Sequence, residues 1–423
     1  MQHHDQNRTK EGGTTATSML PREIEVSLLT GGQDKHYAFG LATALMDAGV
    51  RLDVIGSDDV DCAAMHGDAR VRFLNLRGNM RTGASIQEKI LRIFRYYGRL
   101  IRYASKATPR VFHILWNNKF ELFDRTVLML WYKLLGKKVV FTAHNVNAGK
   151  RDSADTFLNR LGLRVQYQLA DQIIVHTANM QAELMMEFGV DKASITIIPY
   201  GINNAIPVTD LSSTEARSRC GIKSEERSLL FFGAIAPYKG LDVLVSALNL
   251  LLDRCGDYRL VIAGKPKGGC DNYLKTIQDD IRNSAAHAHV TQRIQFIPDE
   301  ETELYFKAAD LMVLPYRSIF QSGILFLSFS FGLPVVASDV GSFREDVIEG
   351  ETGFLCPPGD PAALADTIEK YFQSELYLNL SRKRQEIQEL VHARHSWDTV
   401  AEIMRNVYER LSYPTGVTGS GQV

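Results

Sequence analysis

The chain has 423 residues, with 48 basic against 49 acidic side chains, and is 45% hydrophobic and 23% charged. At roughly 100–200 residues per domain, that length predicts two or three domains, each with its own core, and the composition excludes wholesale disorder. A net charge of −1 argues against a dedicated nucleic-acid binder, which carries a basic face.

The first 20 residues are polar and lack the apolar centre of a secretory signal; they are expected to be disordered, like the Gly/Ser/Thr-rich tail 413–423. No run of about 18 apolar residues predicts a membrane span. Five scattered cysteines (Cys62, Cys220, Cys255, Cys270, Cys356) without CxxC spacing fit neither a disulfide framework nor a zinc site. They suit a reducing cytosol.

From residue 21 onward, short apolar runs alternate with helix-period segments. Strands are expected at Ile24–Thr30, Leu52–Gly56, Val71–Leu76, Val111–Trp116, Lys138–Asn145, Gln172–Thr177 and Ile195–Tyr200. A polar, aperiodic stretch follows, and residues 205–227 read as a linker between domains at 21–204 and 228–385. The second series comprises Ser228–Ile235, Tyr258–Gly264, Ile294–Pro298, Leu311–Pro315 and Pro334–Asp339. Helices at 386–412 close the chain and are expected to pack back on the first domain. Near-continuous apolar strands alternating with helices indicate two doubly wound α/β domains facing a central cleft. Ligands of such folds sit beyond the carboxyl ends of the strands.

The unusual residues fall in those places. Gly31-Gly32, between the first strand and helix, fit either a tight turn or close backbone approach to a phosphate or sugar. His144-Asn145 end the fifth strand and can contact sugar hydroxyls, whereas His113 and His176 sit within apolar strands and read as core. In the second domain, Phe232-Gly233 leads to Lys239, a point charge placed to neutralise a phosphate or simply a solvated turn residue. Ser322-Gly323-Ile324 begins a helix apolar nearly all round, ended by Gly332 and Pro334. A buried helix start needs an acceptor for its free amides, either the Ser322 side chain or a bound anion. The acidic run Asp299-Glu300-Glu301-Thr302-Glu303 reads as the first turn of a helix rather than a metal site. GxxxxGK[ST], GxGxxG and GxSxG are all missing.

Taken together, Gly31-Gly32, Thr142-Ala143-His144-Asn145, Ile198-Pro199-Tyr200-Gly201, Lys239-Gly240, Leu314-Pro315-Tyr316, Gly332-Leu333-Pro334 and Gly341-Ser342-Phe343-Arg344-Glu345 resemble glycosyltransferase family 4 over nearly the whole ordered chain. The resemblance implies a GT-B fold and retaining transfer of a hexose from a nucleoside-diphosphate sugar to a saccharide or lipid-linked acceptor. It implies no metal and no other cofactor. Gly31, Gly32, Gly233, Lys239, Ser322, Gly323, Ile324 and Glu345 would hold the donor. His144 would lie by the transferred sugar as the catalytic-site residue, and Asp34, Asn145 and Tyr200 would meet acceptor or sugar. The chain departs from the family at Ala234 and Ala236, where an Arg is usual, and at Ile319 and Leu327, where paired Glu residues are usual. Its Gln321-Ser322-Gly323 opening resembles a subset lacking that pair. A catalytically weak donor-binding subunit and a nucleotide-sugar epimerase are the alternatives.

Residues 81–110 carry eight Lys/Arg and one Glu, a local balance of +7. Arg92, Arg95, Arg99, Arg102 and Lys106 recur at helical spacing, with Ile86, Ile90, Phe94, Tyr97 and Ile101 as an apolar stripe on the other face. This helix either docks on an anionic membrane or buries its stripe in the core. The former places a cytoplasmic protein on the inner face of the cell membrane.

Overall fold

The computed structural model describes residues 23–31, 34–78, 85–151, 155–202, 206–254 and 256–413. Gly32, the segments 1–20 and 414–423, and Cys255 lie outside them.

The N-terminal half forms a parallel sheet from β1 (Glu25–Leu29), β2 (Arg51–Gly56), β3 (Val71–Asn75), β4 (Val111–Ile114), β5 (Lys138–Thr142), β6 (Gln172–Val175) and β7 (Ile195–Ile197). Their spatial order is β3-β2-β1-β4-β5-β6-β7. The apolar runs Val26–Leu29 and Val139–Thr142 are buried on both faces, as a helix-covered parallel sheet requires. Order reverses between β1 and β4, so the loops after these strands diverge and leave a crevice. Three helices concern the function: α1 (Lys35–Asp47), α2 (Ile86–Lys106) and α3 (Phe157–Leu169).

The C-terminal sheet comprises β8 (Arg227–Phe232), β9 (Tyr258–Ala263), β10 (Val290–Arg293), β11 (Leu311–Leu314), β12 (Val335–Ser338) and β13 (Gly353–Cys356), in the order β10-β9-β8-β11-β12-β13. Its reversal lies between β8 and β11. Its functional helices are α4 (Ser213–Arg219), α5 (Asp299–Ala308), α6 (Gly323–Ser330) and α7 (Leu380–His395).

Five features differ from the sequence expectation. The edge strand β10 is the polar Val290–Arg293 rather than Ile294–Pro298, which runs instead as a loop toward the cleft. The four-residue edge strand β13 carries too little pattern to announce itself. Within the expected linker, α4 is capped by Ser212, whose hydroxyl accepts from the Glu215 amide, and packs on α5. The return to the N-terminal domain comes at Ser396, ten residues later than expected. Ile387 and Val391 of α7 belong to the C-terminal core, while α8 (Trp397–Ser412) lies on α1. Tyr413, placed in the tail by composition, donates its hydroxyl to the Glu23 carbonyl at 3.0 Å.

Trp397 makes that return firm. Its indole lies over Gly40 and Gly201, where a Cβ would come within 2.3 and 2.4 Å of the ring, and Nε1 donates to the Ile202 carbonyl at 2.8 Å. Among the described residues, no helix is long and apolar enough to cross a membrane.

A cleft site between two strand-order reversals

Both reversals open on one interdomain cavity of about 270 Å³. On the N-terminal side, Gly31 adopts φ 63°, and a Cβ there would lie 2.4 Å from the Trp116 carbonyl oxygen, so the loops after β1 and β4 close up only with glycine. Arg77 donates to the Gly31 carbonyl. Asp34 caps α1 by accepting from the His36 and Tyr37 amides, each at 3.0 Å. The other Asp34 oxygen accepts from the Tyr200 hydroxyl at 3.4 Å.

On the C-terminal side, Gly233 has φ 97°. A Cβ there would meet the Ile324 side chain at 3.4 Å and Lys239 Nζ at 3.5 Å, so the loop after β8 brings these groups together. Lys239 is buried, its ammonium 5.3 Å from the Tyr316 ring centre. Ser322 precedes α6 but makes no capping hydrogen bond to it. Among the described residues the Gly323 and Ile324 amides likewise find no acceptor outside the helix. Capping by the Ser322 side chain is therefore not what satisfies this helix start, which is open to the cleft rather than buried as expected: Gly323 is exposed and Ile324 half-buried. It presents N–H donors and partial positive charge to the cleft, the arrangement that binds a phosphate.

The halves meet at Tyr200. Its ring stacks on Phe326 of α6 at 5.2 Å, and its hydroxyl is 3.4 Å from where a Gly323 Cβ would stand. Across the cleft, Lys35 and His36 at the start of α1 lie 2.6 and 3.1 Å from the Asp299 carboxylate oxygens. Asp299, Glu300 and Glu301 occupy the first turn of α5. Among the described residues, no group of three or more His, Cys, Asp or Glu is placed to hold a metal ion.

His144 stands behind this front. It stacks on Trp116 at 4.3 Å, meets Tyr37 edge-on at 4.7 Å, and shares a hydrogen bond of 3.2 Å with His176. Burial, helped by His176 and His113, pushes its pKa well below the usual range, so it is neutral at physiological pH. It can exchange a hydrogen bond with a hydroxyl but does not arrive protonated as an acid. Among the described residues, its Nε2 and the Tyr37 hydroxyl are both buried without a partner. Asn145 follows, half-buried. Glu345 is exposed on the short helix Phe343–Asp346. Of the residues singled out in the sequence, Asp34, Tyr200, Gly323 and Ile324 line the cavity, whereas Gly31, Gly233, Lys239, Ser322, His144, Asn145 and Glu345 lie outside its lining. The neighbouring Asp346, raised to about 7 by burial, accepts from Gln321 at 3.4 Å.

Tyr37 and Phe296 line the cavity without having been singled out in the sequence, and Leu327, noted there only as a departure from the family, lines it too. Tyr37 belongs to an apolar helical stripe and Phe296 to a segment that reads as a strand. Only their place at the cleft distinguishes them.

These histidines make stability acid-sensitive. Burial lowers His113 to about 3 and His176 to about 4, against 6.5 for an unperturbed imidazole. Below pH 6.5 the unfolded chain therefore binds protons that the folded domain does not. Each histidine costs up to about 1.4 kcal/mol of stability per pH unit down to its folded pKa. The buried Asp124, raised to about 6, opposes them with a single proton. Thermal melts from pH 7 to 5 are expected to show a falling unfolding midpoint for the N-terminal domain.

Two family models match in turn: Glycosyltransferase Family 4 over residues 31–205, and Glycosyl transferases group 1 over residues 226–374. The chain is 26% identical over 388 residues to the D-inositol 3-phosphate glycosyltransferase of Corynebacterium glutamicum (strain R), covering 88% of this chain and 90% of that one. Among solved structures, sucrose-phosphate synthase from Thermosynechococcus elongatus superposes with TM-score 0.72 at 20% identity, covering 92% of this chain and 99% of that one. HepE from Anabaena, in complex with UDP-glucose, superposes at 0.68 and 17% identity, covering 91% and 99%. The two facing parallel-sheet domains define the GT-B architecture. The chain is a glycosyltransferase family 4-like protein.

Proposed function

We propose that this protein is a retaining, metal-independent hexosyltransferase. It moves a sugar from a nucleoside diphosphate to a saccharide or lipid-linked acceptor in surface polysaccharide or glycolipid assembly. The observation that carries the reading is the uncapped start of α6 beside the buried Lys239. A diphosphate supplies the missing acceptor there, and the amides and ammonium stabilise its growing charge as the sugar departs. Gly31 and Gly233 give the donor backbone clearance, and Asp34, Tyr200 and Asn145 orient sugar and acceptor. His144 holds the transferred sugar through a neutral hydrogen bond. HepE, crystallised with UDP-glucose, supports a nucleotide-sugar donor, and the D-inositol 3-phosphate glycosyltransferase relative supports glycosyl transfer.

A panel of nucleotide sugars tests this. Release of a nucleoside diphosphate with the anomeric configuration kept in the product is expected; inversion, or no release with any donor, contradicts it. Leu327 lines the cavity where the resemblance implies a ribose-holding Glu, which favours the weak donor-binding subunit as the second reading. Binding without turnover would select that reading.

The proposal extends to the cytoplasmic face of the membrane. In α2, Tyr97 is buried and Ile101 half-buried, but Ile90, Leu91 and Phe94 are exposed beside Arg95, Arg99, Arg102 and Lys106; the Ile86 side chain is outside the described set. The expected apolar stripe is thus only half used by the core. Phe120, packed against Tyr97, and Leu122, against Gly162 of α3, extend the exposed apolar surface. Cationic and apolar groups on one face suit an anionic bilayer. At about 1 kcal/mol per basic residue, Arg92/Arg95/Arg99/Arg102→Gln should lower recovery with anionic vesicles at least about tenfold. Equal flotation of variant and wild type would reject docking.

A further inference from the structure

The interdomain cavity has two unlike walls. Toward the N-terminal domain it is polar, with Asp34, Lys35, His36 and Tyr200. Toward the C-terminal domain Phe232, Phe296, Ile297, Ile324 and Leu327 line it, all apolar side chains. Phe232 ends β8, and Phe296 and Ile297 belong to the loop after β10. Gly323, Ile324 and Leu327 lie on one face of α6. The face that starts with free amides therefore continues, one turn on, as hydrocarbon.

The polar groups nearest that wall are already engaged. Of the two carboxylates in the lining, Asp34 accepts from the His36 and Tyr37 amides and from Tyr200, and Asp299 is held by Lys35 and His36. The Thr302 hydroxyl donates to the Pro298 carbonyl at 3.1 Å. The wall itself is fixed by packing: Leu327 and Phe232 are buried, and Phe232 meets Phe306 edge-on at 4.9 Å. A diphosphate at the start of α6, with its sugar turned toward Asp34 and His144, sends the nucleoside the other way, over Ile324 and Leu327 toward Phe296.

We infer that the donor's nucleoside is held there by apolar contact, with no hydrogen bond to its ribose 2′-hydroxyl. The protein then takes 2′-deoxyribonucleoside diphosphates as readily as ribonucleoside diphosphates. This rests on the donor site proposed above and deepens it, since it names the class of nucleotide. A wall built to bond a hydroxyl rejects a ligand lacking it by several orders of magnitude; an apolar wall discriminates far less. A hydroxyl laid against Leu327 loses water without gaining a partner. The deoxy form thus binds as tightly as the ribo form, or more tightly.

Matched pairs titrated calorimetrically into the intact protein test this: UDP with dUDP, GDP with dGDP, and ADP with dADP. For any pair that binds, the deoxy form is expected to be at most about threefold weaker, and up to about tenfold tighter. A deoxy form weaker than that would overturn the proposal and leave the donor reading standing. Absence of binding by all six would overturn both.

A variant supplies the second arm. Leu327→Gln sets a hydrogen-bonding amide in the wall and is expected to create a preference for the ribo form of about fivefold or more. An unchanged ratio in a variant that still binds would overturn the assignment of the ribose to Leu327. The wild-type ratio decides the main claim even where the variant fails to fold.

Discussion

Replacing Lys239 by alanine should weaken donor binding by about 2–4 kcal/mol, roughly thirty- to a thousandfold, the range for removing a desolvated charge from its partner. The ammonium is buried and is held toward Gly233 and Ile324 by the tight loop after β8. Water therefore cannot replace it as it would at the surface. Lys239→Met keeps an apolar stem of similar length and should lose the same affinity with less effect on stability. Titration calorimetry with the preferred nucleoside diphosphate checks both variants. Unchanged affinity in the methionine variant would remove the diphosphate from this end of the cleft.

Trp397→Ala has the second large effect, on stability rather than binding. Loss of a buried tryptophan costs about 3–5 kcal/mol, and the cradle of Gly40 and Gly201 cannot collapse onto alanine without moving backbone. The Ile202 carbonyl also loses its indole donor. Calorimetry should show the N-terminal domain melting roughly 10 °C lower, since α8 is what that domain gains from the far end of the chain. Trp397→Phe should recover part of the loss. An unchanged midpoint in Trp397→Ala would mean that α8 is not integral to that core.

The fold was legible because parallel sheets covered on both faces write themselves as apolar runs, and most of the strands lie within the runs expected. What was illegible was short, polar or at an edge: β10, whose residues are half-buried or exposed, and β13, only four residues long. The loops that bear the site could be located from strand ends, because each strand-order reversal places its ligands there. Their interior could not. Tyr37 and Trp116 read as ordinary core residues, yet they form the walls against which His144 stacks. The α2 stripe shows the same limit. Helical periodicity assigned Ile90 and Phe94 to a face, but only the packing of α2 decides that this face stops short of the core.

Calorimetric binding of UDP, GDP and ADP to the intact protein, with and without a chelator, bears most directly on the central claim. At least one should bind in the micromolar range, unaffected by the chelator and lost in Lys239→Ala. Failure of all three to bind, or binding that disappears with the divalent ion, would contradict a diphosphate held by the start of α6.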